Sequence, residues 1–153
     1  MKSIFKFIAS VVICEGAGIV GSLFTFSAIK NWYIFLNKPF FGPPNWVFGP
    51  VWTVLYFLMG ISLYWIWTKK NSGGALKLFA VHLIFNASWS IVFFGLHNIF
   101  LALINIVILW ILIIAVMIKF SKIDRKASLI LIPYLIWVSF ATILNYNIWL
   151  LNK

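Results

Sequence analysis

Side chains that commonly perform acid–base, nucleophilic or metal chemistry are scarce in this chain of 153 residues, which has two acidic residues, two histidines and one cysteine. His82 and His97 stand alone in the sequence. Either imidazole could in principle ligate a haem iron, but we expect hydrogen bonding or an interfacial position instead. Cys14 has no second cysteine to pair with and is expected to pack as a small residue. The sequence also lacks a serine–histidine–acid set and a glycine-rich phosphate loop, so we predict no metal site and no conventional catalytic site.

The residues that remain for chemistry are aromatic rings and amides, which recur at helical spacing in three parts of the chain. Trp52 and Tyr56 are four residues apart and therefore share one face of a helix. Two further stripes have helical spacing and comprise Asn86, Trp89, Ser90 and Phe93, and then Trp137, Ala141, Leu144 and Asn145. Flat rings, a few amides and a small residue that leaves space are typical of a pocket for a planar apolar ligand.

The composition decides which kind of protein carries these stripes. Hydrophobic residues make up 64% of the chain and charged residues 9%, and the mean hydropathy is +1.07. Such a chain has too little polar surface to cover a water-soluble globule, so it is predicted to be an integral membrane protein whose surroundings are the lipid bilayer. The formal charge of +10 comes from basic residues in the gaps between apolar runs, and we therefore expect no nucleic-acid partner.

Five apolar runs are long enough to cross a bilayer as helices, which needs about 20 residues each. They do not alternate between apolar and polar residues, as the strands of a membrane barrel do. The prediction is an all-α membrane protein, a single domain over residues 1–153 that forms a five-transmembrane-helix bundle. Its helices are expected at about 5–28, 47–67, 77–95, 99–119 and 129–150.

Basic residues predict the orientation of these spans, because cytoplasmic loops are enriched in lysine and arginine. One side of the predicted topology carries only Lys30, Lys38 and Lys153. The N-terminus is therefore expected in the cytoplasm, most plausibly of a bacterium with the chain in its cytoplasmic membrane, and the first apolar run is expected to be an uncleaved anchor. The basic residues on the cytoplasmic side would be Lys2, Lys6, Lys69, Lys70, Lys77, Lys119, Lys122, Arg125 and Lys126.

The first loop, residues 29–46, is predicted to form a rigid lid. Proline fixes its own backbone angle and disfavours a helical residue before it, so Pro39, Pro43 and Pro44 indicate a stiff, non-helical segment. Asn45 is expected to cap the second helix, and Pro50 is expected in its first or second turn. A simpler interpretation stays open, in which the loop is a turn and its aromatic residues form an ordinary interfacial belt. Those residues are Trp32, Tyr33 and Trp46.

Asparagines within the spans are expected to face the bundle interior, because lipid cannot satisfy an amide. They are Asn86, Asn105 and Asn145. Each could line a ligand pocket, or could make only an interhelical hydrogen bond of about 0.6–2 kcal/mol. Both interpretations stay open at this point.

Three segments resemble the tryptophan-rich sensory protein family, also called the TspO/MBR or translocator/peripheral benzodiazepine receptor family. They are WY with LNKPFFGPPNWVFGPVWTVLYFLMG (32–33 and 36–60), NASWSIVFFG (86–95) and PYLIWVSFATILNYNIWLLN (133–152). The resemblance implies a five-helix bundle, often dimeric, with a ligand cavity near the first loop. It also implies binding of porphyrins such as protoporphyrin IX and haem, and of sterols and benzodiazepine-type drugs. For bacterial members it implies roles in tetrapyrrole regulation, stress responses and light-dependent porphyrin breakdown.

The resemblance further implies which residues contact the ligand. Trp52 and Trp137 would lie against the ring system, Asn86 would bind a polar edge, and Ala141 would leave room. If the family's light-dependent chemistry applies, Trp52 and Trp137 would also be the catalytic residues. A porphyrin is expected as ligand rather than as a required cofactor. The full implied set is Pro44, Trp46, Trp52, Tyr56, Asn86, Ser90, Phe93, Ile104, Trp137, Ala141 and Leu144.

Glu15 supports an alternative function, because a carboxylate in the middle of a span is costly and is usually functional. Small proton-coupled multidrug exporters place a glutamate in their first helix, so an exporter that uses Glu15 is the alternative. Small residues surround Glu15 at the four-residue spacing that permits close helix approach, and they predict either internal packing or a homodimer. These pairs are Ala17 with Gly21 and Gly18 with Ser22.

Overall fold

Five helices long and apolar enough to cross a membrane account for most of the chain in the computed structural model, which describes residues 2–153. No strand occurs in that part of the chain, so the predicted all-α, five-span fold is confirmed. The elements are α1 (Lys2–Asn31), a 3₁₀ turn (Tyr33–Phe35), α2 (Asn45–Trp67), α3 (Gly73–Ser90) with a π-helical turn (Ile91–Gly95), α4 (Ile99–Ser121), α5 (Arg125–Leu129) and α6 (Ile132–Leu151).

The helices extend beyond the predicted spans at several ends, because apolar runs reveal only the part of a helix that lies in lipid. The first span continues through polar residues to Asn31, and the third begins at Gly73 rather than at 77. The fifth span begins with α5 and is interrupted between α5 and α6. Pro133 lies in the first turn of α6, where a residue without an N–H donor favours the start of a helix.

Two short turns are made by residues with positive φ. Asn71, at φ 59°, lies in the turn between α2 and α3, and His97, at φ 54°, lies in the turn before α4. Asparagine and histidine tolerate this left-handed conformation better than most residues. Asn98 then caps α4, since its side-chain oxygen accepts a hydrogen bond from the Leu101 N–H at 2.9 Å.

The start of α2 differs from the prediction for Asn45. Pro44 occupies the N-cap position, with φ −57° and ψ 145°, and Asn45 is the first residue inside the helix. No side chain caps this end, because proline offers no acceptor and the Asn45 side chain lies one residue too late. Pro50 falls in the second turn of α2, as expected.

The helices pack around one another in a ring. α1 lies between α2 and α3, and α4 lies between α3 and α6, while α5 packs on α2 and closes the ring. The buried face of α4 repeats every three or four residues and supplies much of the core, through Ala102, Ile106, Leu109, Ile113, Val116 and Phe120.

The bundle has two halves that differ in how α1 meets α2. In the closed half, residues 2–14 of α1 pack tightly on residues 57–67 of α2. A Cβ at Gly60 would lie 2.8 Å from the Cα of Val11, and the hydroxyls of Ser3 and Tyr64 share a hydrogen bond of 2.5 Å. In the open half, formed by residues 15–31 of α1 and 45–56 of α2, the space between the helices is a cavity.

Candidate functional site

A cavity of about 420 Å³ lies in the open half, with walls from α1, α2, α3, the π-helical turn and α6. This volume lies within the range of small-molecule binding pockets. Its walls are mostly apolar and aromatic, with a few amides and hydroxyls among them. The first loop lies at the same end of the bundle, so the predicted lid is positioned next to the cavity.

Most of the residues that were predicted to contact a ligand line this cavity. The structure brings together Trp46, Trp52, Tyr56, Asn86, Ser90, Phe93, Trp137, Ala141 and Leu144. The three stripes converge because α2, α3 and α6 each turn one face toward the same space. As contacts to a particular ligand, these nine residues stay predictions.

Two residues of the predicted set do not line the cavity. Ile104 lies on α4, which packs behind α3 and α6, and its side chain is 43% exposed on the outer surface. Pro44 is exposed at the start of α2 and contributes to the shape of the lid rather than to the cavity wall. Both assignments came from the resemblance, and as contacts to a ligand they stay predictions.

The wall from α1 was not predicted as part of the site. Its residues recur every three or four positions, and the polar members among them are the signal that could have revealed it in an otherwise apolar helix. This wall comprises Glu15, Gly18, Ile19, Ser22, Thr25, Phe26 and Ile29. The remaining lining residues outside the predicted set are Tyr33, Asn45, Phe48, Gly49, Thr53, Trp89, Phe94, Asn145 and Ile148.

The cavity opens sideways between α1 and α2. Ile19 and Phe26 on α1 line it and are 61% and 72% exposed, and Trp46 on α2 lines it and is 75% exposed. Gly49 and Thr53 on α2 are also both lining and exposed. Residues that face the cavity and the outside at once mark the rim of an opening, and this rim faces the surrounding membrane.

The π-helical turn shapes the wall from α3. In a regular α-helix, consecutive residues point about 100° apart, whereas the wider π turn brings both Phe93 and Phe94 to the cavity. Trp89 stacks on Phe93 with ring centroids 5.2 Å apart. Turns of this kind often occur at functional sites, and this one builds an aromatic corner of the cavity.

Tyr56 and Asn86 begin a chain of hydrogen bonds that runs from the cavity wall into the bundle. The Tyr56 hydroxyl donates to Asn86 Oδ1 at 2.5 Å, and Asn86 Nδ2 donates to the Tyr134 hydroxyl at 2.8 Å. That hydroxyl lies 2.9 Å from His82 Nε2, and His82 Nδ1 lies 3.0 Å from the Phe79 carbonyl oxygen. The chain links α2, α3 and α6 and holds Tyr56 and Asn86 in fixed positions.

The other two asparagines also make interhelical hydrogen bonds. Asn145 Oδ1 accepts from the indole N–H of Trp89 at 3.0 Å, and its Nδ2 donates to the Ile99 carbonyl at 3.1 Å. Asn105 Nδ2 donates to the Ser88 hydroxyl at 2.8 Å and lies away from the cavity. The interhelical interpretation therefore suffices for Asn105, whereas Asn86 and Asn145 both bond and line the cavity.

The tryptophans predicted to flank a ligand lie on separate walls. Trp52 stacks on Tyr56 with centroids 5.5 Å apart, and Trp137 packs against Phe48 and Phe140 at 6.1 Å and 5.5 Å. The indole N–H of Trp137 is buried and has no hydrogen-bond partner within residues 2–153. A buried unpaired donor costs about 1–3 kcal/mol, so this nitrogen is a group that a bound acceptor would stabilise after a small movement.

The lid is tied to the last helix by paired asparagines. The Asn37 N–H donates to Asn152 Oδ1 at 2.9 Å, and Asn152 Nδ2 donates to the Asn37 carbonyl at 2.8 Å. Trp32 stacks on His97 with centroids 4.3 Å apart, which also fixes the lid against the turn before α4. These contacts, together with the prolines, hold the segment in one position.

Lys38 makes several contacts with other residues of the lid. Its ammonium donates to the carbonyl oxygens of Tyr33 at 2.8 Å and Leu36 at 3.2 Å, and lies 4.7 Å from the centre of the Tyr33 ring. Burial disfavours the charged form of each group, so it lowers the pKa of Lys38 and raises the pKa of the Tyr33 phenol to about 12.

The residues singled out for other chemistry have ordinary surroundings, with one exception. Within residues 2–153 there is no cluster of three metal-ligating side chains, and Cys14 is buried in the core. His82 and His97 are hydrogen bonded and stacked, respectively. Glu15 is the exception, because it lines the cavity and has no ion-pair or hydrogen-bond partner in the described chain.

The small residues of α1 serve internal packing. A Cβ at Gly18 would lie 2.5 Å from the Tyr56 ring, and a Cβ at Gly21 would lie 3.0 Å from the Ser90 hydroxyl oxygen. Each glycine therefore allows a cavity-lining side chain of a neighbouring helix to approach the backbone of α1.

These features define an integral membrane helix bundle with an internal cavity of aromatic rings and amides beside a fixed first loop. The model of the TspO/MBR family matches residues 10–150, and the chain belongs to that family. The resemblance noted in the sequence is therefore confirmed.

Individual relatives cover nearly the whole chain. It is 44% identical to the tryptophan-rich protein TspO of Archaeoglobus fulgidus, over 98% of this chain and 99% of that relative. A protein of the same name from Chlorobaculum tepidum is 40% identical over 99% of this chain and 98% of its own length. The translocator protein of Homo sapiens is 36% identical over 85% of this chain and 80% of its own length.

Proposed function

We propose that this protein is a membrane receptor or carrier that binds porphyrins, such as protoporphyrin IX or haem, or similarly flat hydrophobic molecules. The observation that carries the proposal is the convergence of Trp52, Trp137 and Tyr56 on one apolar cavity of about 420 Å³. Aromatic rings from separate helices offer flat surfaces for stacking, and the amides offer a few oriented hydrogen bonds. Its role in the cell would lie in tetrapyrrole regulation or a stress response.

Titration of the purified protein with protoporphyrin IX in darkness tests this function. Binding beside Trp52 and Trp137 is expected to quench tryptophan fluorescence in a saturable manner. Ala141→Phe would place a ring in the cavity, where the side chain of Ala141 is 7% exposed, and should weaken binding at least tenfold. An unchanged affinity in a well-folded Ala141→Phe variant would exclude this cavity as the binding site.

Ala80→Phe is the matched control for that substitution. Ala80 is exposed on the outer surface of α3 and borders a shallow apolar groove instead of the cavity. The added ring is the same, so a loss of affinity in both variants would indicate non-specific binding of porphyrin to the apolar surface.

A light-dependent reaction is a second candidate, favoured by the presence of both Trp52 and Trp137 in the cavity wall. An excited porphyrin in contact with an indole could pass an electron or energy to oxygen and be degraded. Illumination should then produce a new absorbing species in the wild-type protein. Trp52→Phe and Trp137→Phe should abolish that species while leaving binding in darkness measurable, and persistence of the product in both variants would reject this chemistry.

The exporter alternative is favoured by the unpaired position of Glu15 in the cavity wall. It requires proton-linked efflux of apolar drugs, which Glu15→Gln should abolish in cells or vesicles. Equal efflux with and without the carboxyl group would leave the receptor or carrier function as the better explanation.

We further propose that the N-terminus faces the cytoplasm, with the chain in a bacterial cytoplasmic membrane. The proposal is supported by the basic residues at the closed end, where Lys6 donates to the Trp67 carbonyl at 3.3 Å and Lys69 pairs with Asp124 at 3.1 Å. In a Cys14→Ala background, Phe40→Cys should react with an impermeant maleimide in intact cells. Lys70→Cys should react only after permeabilisation, and the reverse pattern would invert the topology.

A further inference from the structure

The hydrogen-bond chain that starts at Tyr56 has a direction, which is set at its far end by a backbone carbonyl. The Phe79 carbonyl oxygen can only accept, so His82 Nδ1, 3.0 Å away, must carry a hydrogen. His82 is 1% exposed and has no acidic partner within residues 2–153, and a buried imidazolium without a counter-charge is costly. The ring is therefore neutral, and its Nε2 is an acceptor.

The remaining bonds follow from that tautomer. Tyr134 donates its hydroxyl hydrogen to His82 Nε2, so its oxygen accepts from Asn86 Nδ2. The amide orientation then directs Asn86 Oδ1 toward the Tyr56 hydroxyl, which donates its hydrogen to it. Rotating the Asn86 amide by 180° would place its oxygen 2.8 Å from the Tyr134 oxygen, whose one hydrogen is already committed to His82. Only this arrangement gives each of the four bonds one donor and one acceptor.

The hydrogens of these four bonds therefore all point from Tyr56 toward Phe79, and the second Nδ2 hydrogen of Asn86 takes no part in them. Tyr56 lines the cavity and gives its hydrogen to Asn86, so its oxygen retains lone pairs and no hydrogen to offer a ligand. At the Tyr56 hydroxyl the protein therefore acts as a hydrogen-bond acceptor. A ligand group that is itself only an acceptor, such as a carboxylate, finds no donor at the Tyr56 hydroxyl.

Glu15 adds a carboxyl group to the same part of the wall. It lies one helical turn from Gly18, and the missing Cβ of Gly18 allows the Tyr56 ring to lie against α1, at a position where a Cβ would be 2.5 Å from the ring. Glu15 and Gly18 share a face of α1, since they are three residues apart. Among the lining residues within 2–153, Glu15 is the only one with an acidic or basic side chain.

We propose that Glu15 and Tyr56 form an acceptor subsite that binds a positively charged nitrogen on an otherwise flat, apolar ligand. The inference rests on the proposed function and extends it to flat apolar ligands with a protonated nitrogen, a group that protoporphyrin IX does not carry at neutral pH. A protonated amine or ring nitrogen supplies the counter-charge that a carboxylate in an apolar wall lacks, and it donates to both oxygens. Ligands with anionic substituents must turn them toward the opening between α1 and α2, away from Glu15.

Three fluorescent or absorbing probes of similar shape test this subsite. They are 9-aminoacridine, which is cationic at neutral pH, the neutral 9-methylanthracene, and anthracene-9-carboxylate. Affinities are compared in uncharged lipid nanodiscs after correction for partitioning into protein-free discs. The wild-type protein should bind the cation at least tenfold more tightly than the anion, and a preference for the anion would overturn the proposal.

Glu15→Gln keeps the size of the side chain and removes its charge. It should weaken binding of 9-aminoacridine at least tenfold and change the affinity for 9-methylanthracene by less than twofold. Glu15→Asp, which keeps the charge, should restore part of the affinity for the cation. Tyr56→Phe removes the acceptor oxygen. It should weaken binding of the cationic probe severalfold and have little effect on binding of the neutral probe. Unchanged binding of the cation by Glu15→Gln would overturn the subsite.

Binding of the neutral probe distinguishes a failure of the proposed function from a failure of the acceptor subsite. If 9-methylanthracene and protoporphyrin IX both fail to bind the wild-type protein, the proposed function is wrong. If both bind and the charge of residue 15 has no effect on the cation, only the acceptor subsite is wrong. Retained binding of the neutral probe by Glu15→Gln also shows that the variant is folded, so a selective loss of the cation reports on the charge itself.

Discussion

The closed and open halves of the bundle use the same two helices in different ways. At Gly60, in the closed half, α2 touches the backbone of α1, and a Cβ would lie 2.8 Å from the Cα of Val11. One turn away, the Tyr56 ring fills the space between the helices and rests on Gly18. Further along, a Cβ at Gly49 would have no neighbour within 4 Å, because the cavity opens there.

This series shows that the cavity arises from a gradual separation of α1 and α2 rather than from small side chains alone. Gly60 permits contact between the two helix backbones in the closed half, whereas in the open half Gly18 admits the Tyr56 ring and Gly49 borders empty space. The aromatic rings of Trp52 and Tyr56 line the widening gap without closing it. Substitutions in the closed half should therefore affect mainly the stability of the fold. Substitutions in the open half should affect mainly ligand binding.

The largest effect on stability is expected at Gly60. Gly60→Ala would force a methyl group against the backbone of α1, which cannot yield as a flexible side chain can, and should lower the free energy of unfolding by about 1–3 kcal/mol. Gly49→Ala is the matched control and should be neutral, or stabilising by about 0.5–1 kcal/mol through helix propensity. Thermal unfolding in detergent measures both. Equal melting temperatures for the two variants would show that α1 and α2 can separate freely in the closed half.

An intermediate effect is expected at the lid of the open half. Asn152→Ala removes the two hydrogen bonds to Asn37, at 2.9 Å and 2.8 Å. Each is worth about 0.5–1.5 kcal/mol, so bound protoporphyrin IX should dissociate roughly threefold to tenfold faster, and the Asn37 amide should exchange faster with solvent. Asn147→Ala is the control, because Asn147 bonds only within its own helix, to Ile143. The same dissociation rate in all three proteins would mean that ligands do not pass the lid.

The smallest effect is expected at the ion pair of the closed half. The hydrogen bond from Lys69 is the main cause that lowers the pKa of Asp124, and the pair is 3.1 Å long. A carboxyl group whose pKa is lowered by folding stabilises the fold at pH values above its ordinary pKa of about 4. This contribution is lost as the pH falls through the pKa of the folded state. Asp124→Asn should therefore lower the stability at pH 7 by less than about 1 kcal/mol.

The pH dependence distinguishes that charge effect from a loss of helix capping. Asparagine is also a good N-cap residue, so Asp124→Asn keeps the cap of α5. The melting temperatures of the variant and the wild type should converge in strongly acidic buffer. A difference that persists there would assign the effect to capping instead of to Lys69.

The sequence predicts the spans and three cavity walls because both depend on local periodicity. Apolar runs reveal helices, and the spacing of Trp52 with Tyr56, or of Asn86 with Ser90, reveals which side chains share a face. The wall from α1 is harder to predict, since that helix is apolar on all sides and only Glu15 and a few small polar residues mark its inner face.

Other features depend on contacts between distant residues. Tyr134 meets His82 and Asn86 across 52 and 48 positions of the chain, and no local pattern indicates that hydrogen-bond chain. Ile104 was included through the resemblance alone, yet the buried face of α4 runs through Ala102 and Ile106 and leaves Ile104 outside. Membership of the family is shown, while the identity of the ligand is the part that the binding experiments must decide.

The gap between Ile19 and Phe26 on α1 and Trp46 on α2 opens on the apolar outer surface of the spans, which is the surface that acyl chains cover in a bilayer. Occupancy is then governed by the mole fraction of a compound within the leaflet, so a greasy molecule that accumulates there can saturate the protein even when its intrinsic affinity is weak. Two compounds with equal contacts in the site would differ in potency by the ratio of their partition coefficients, and lipid composition itself would tune the response.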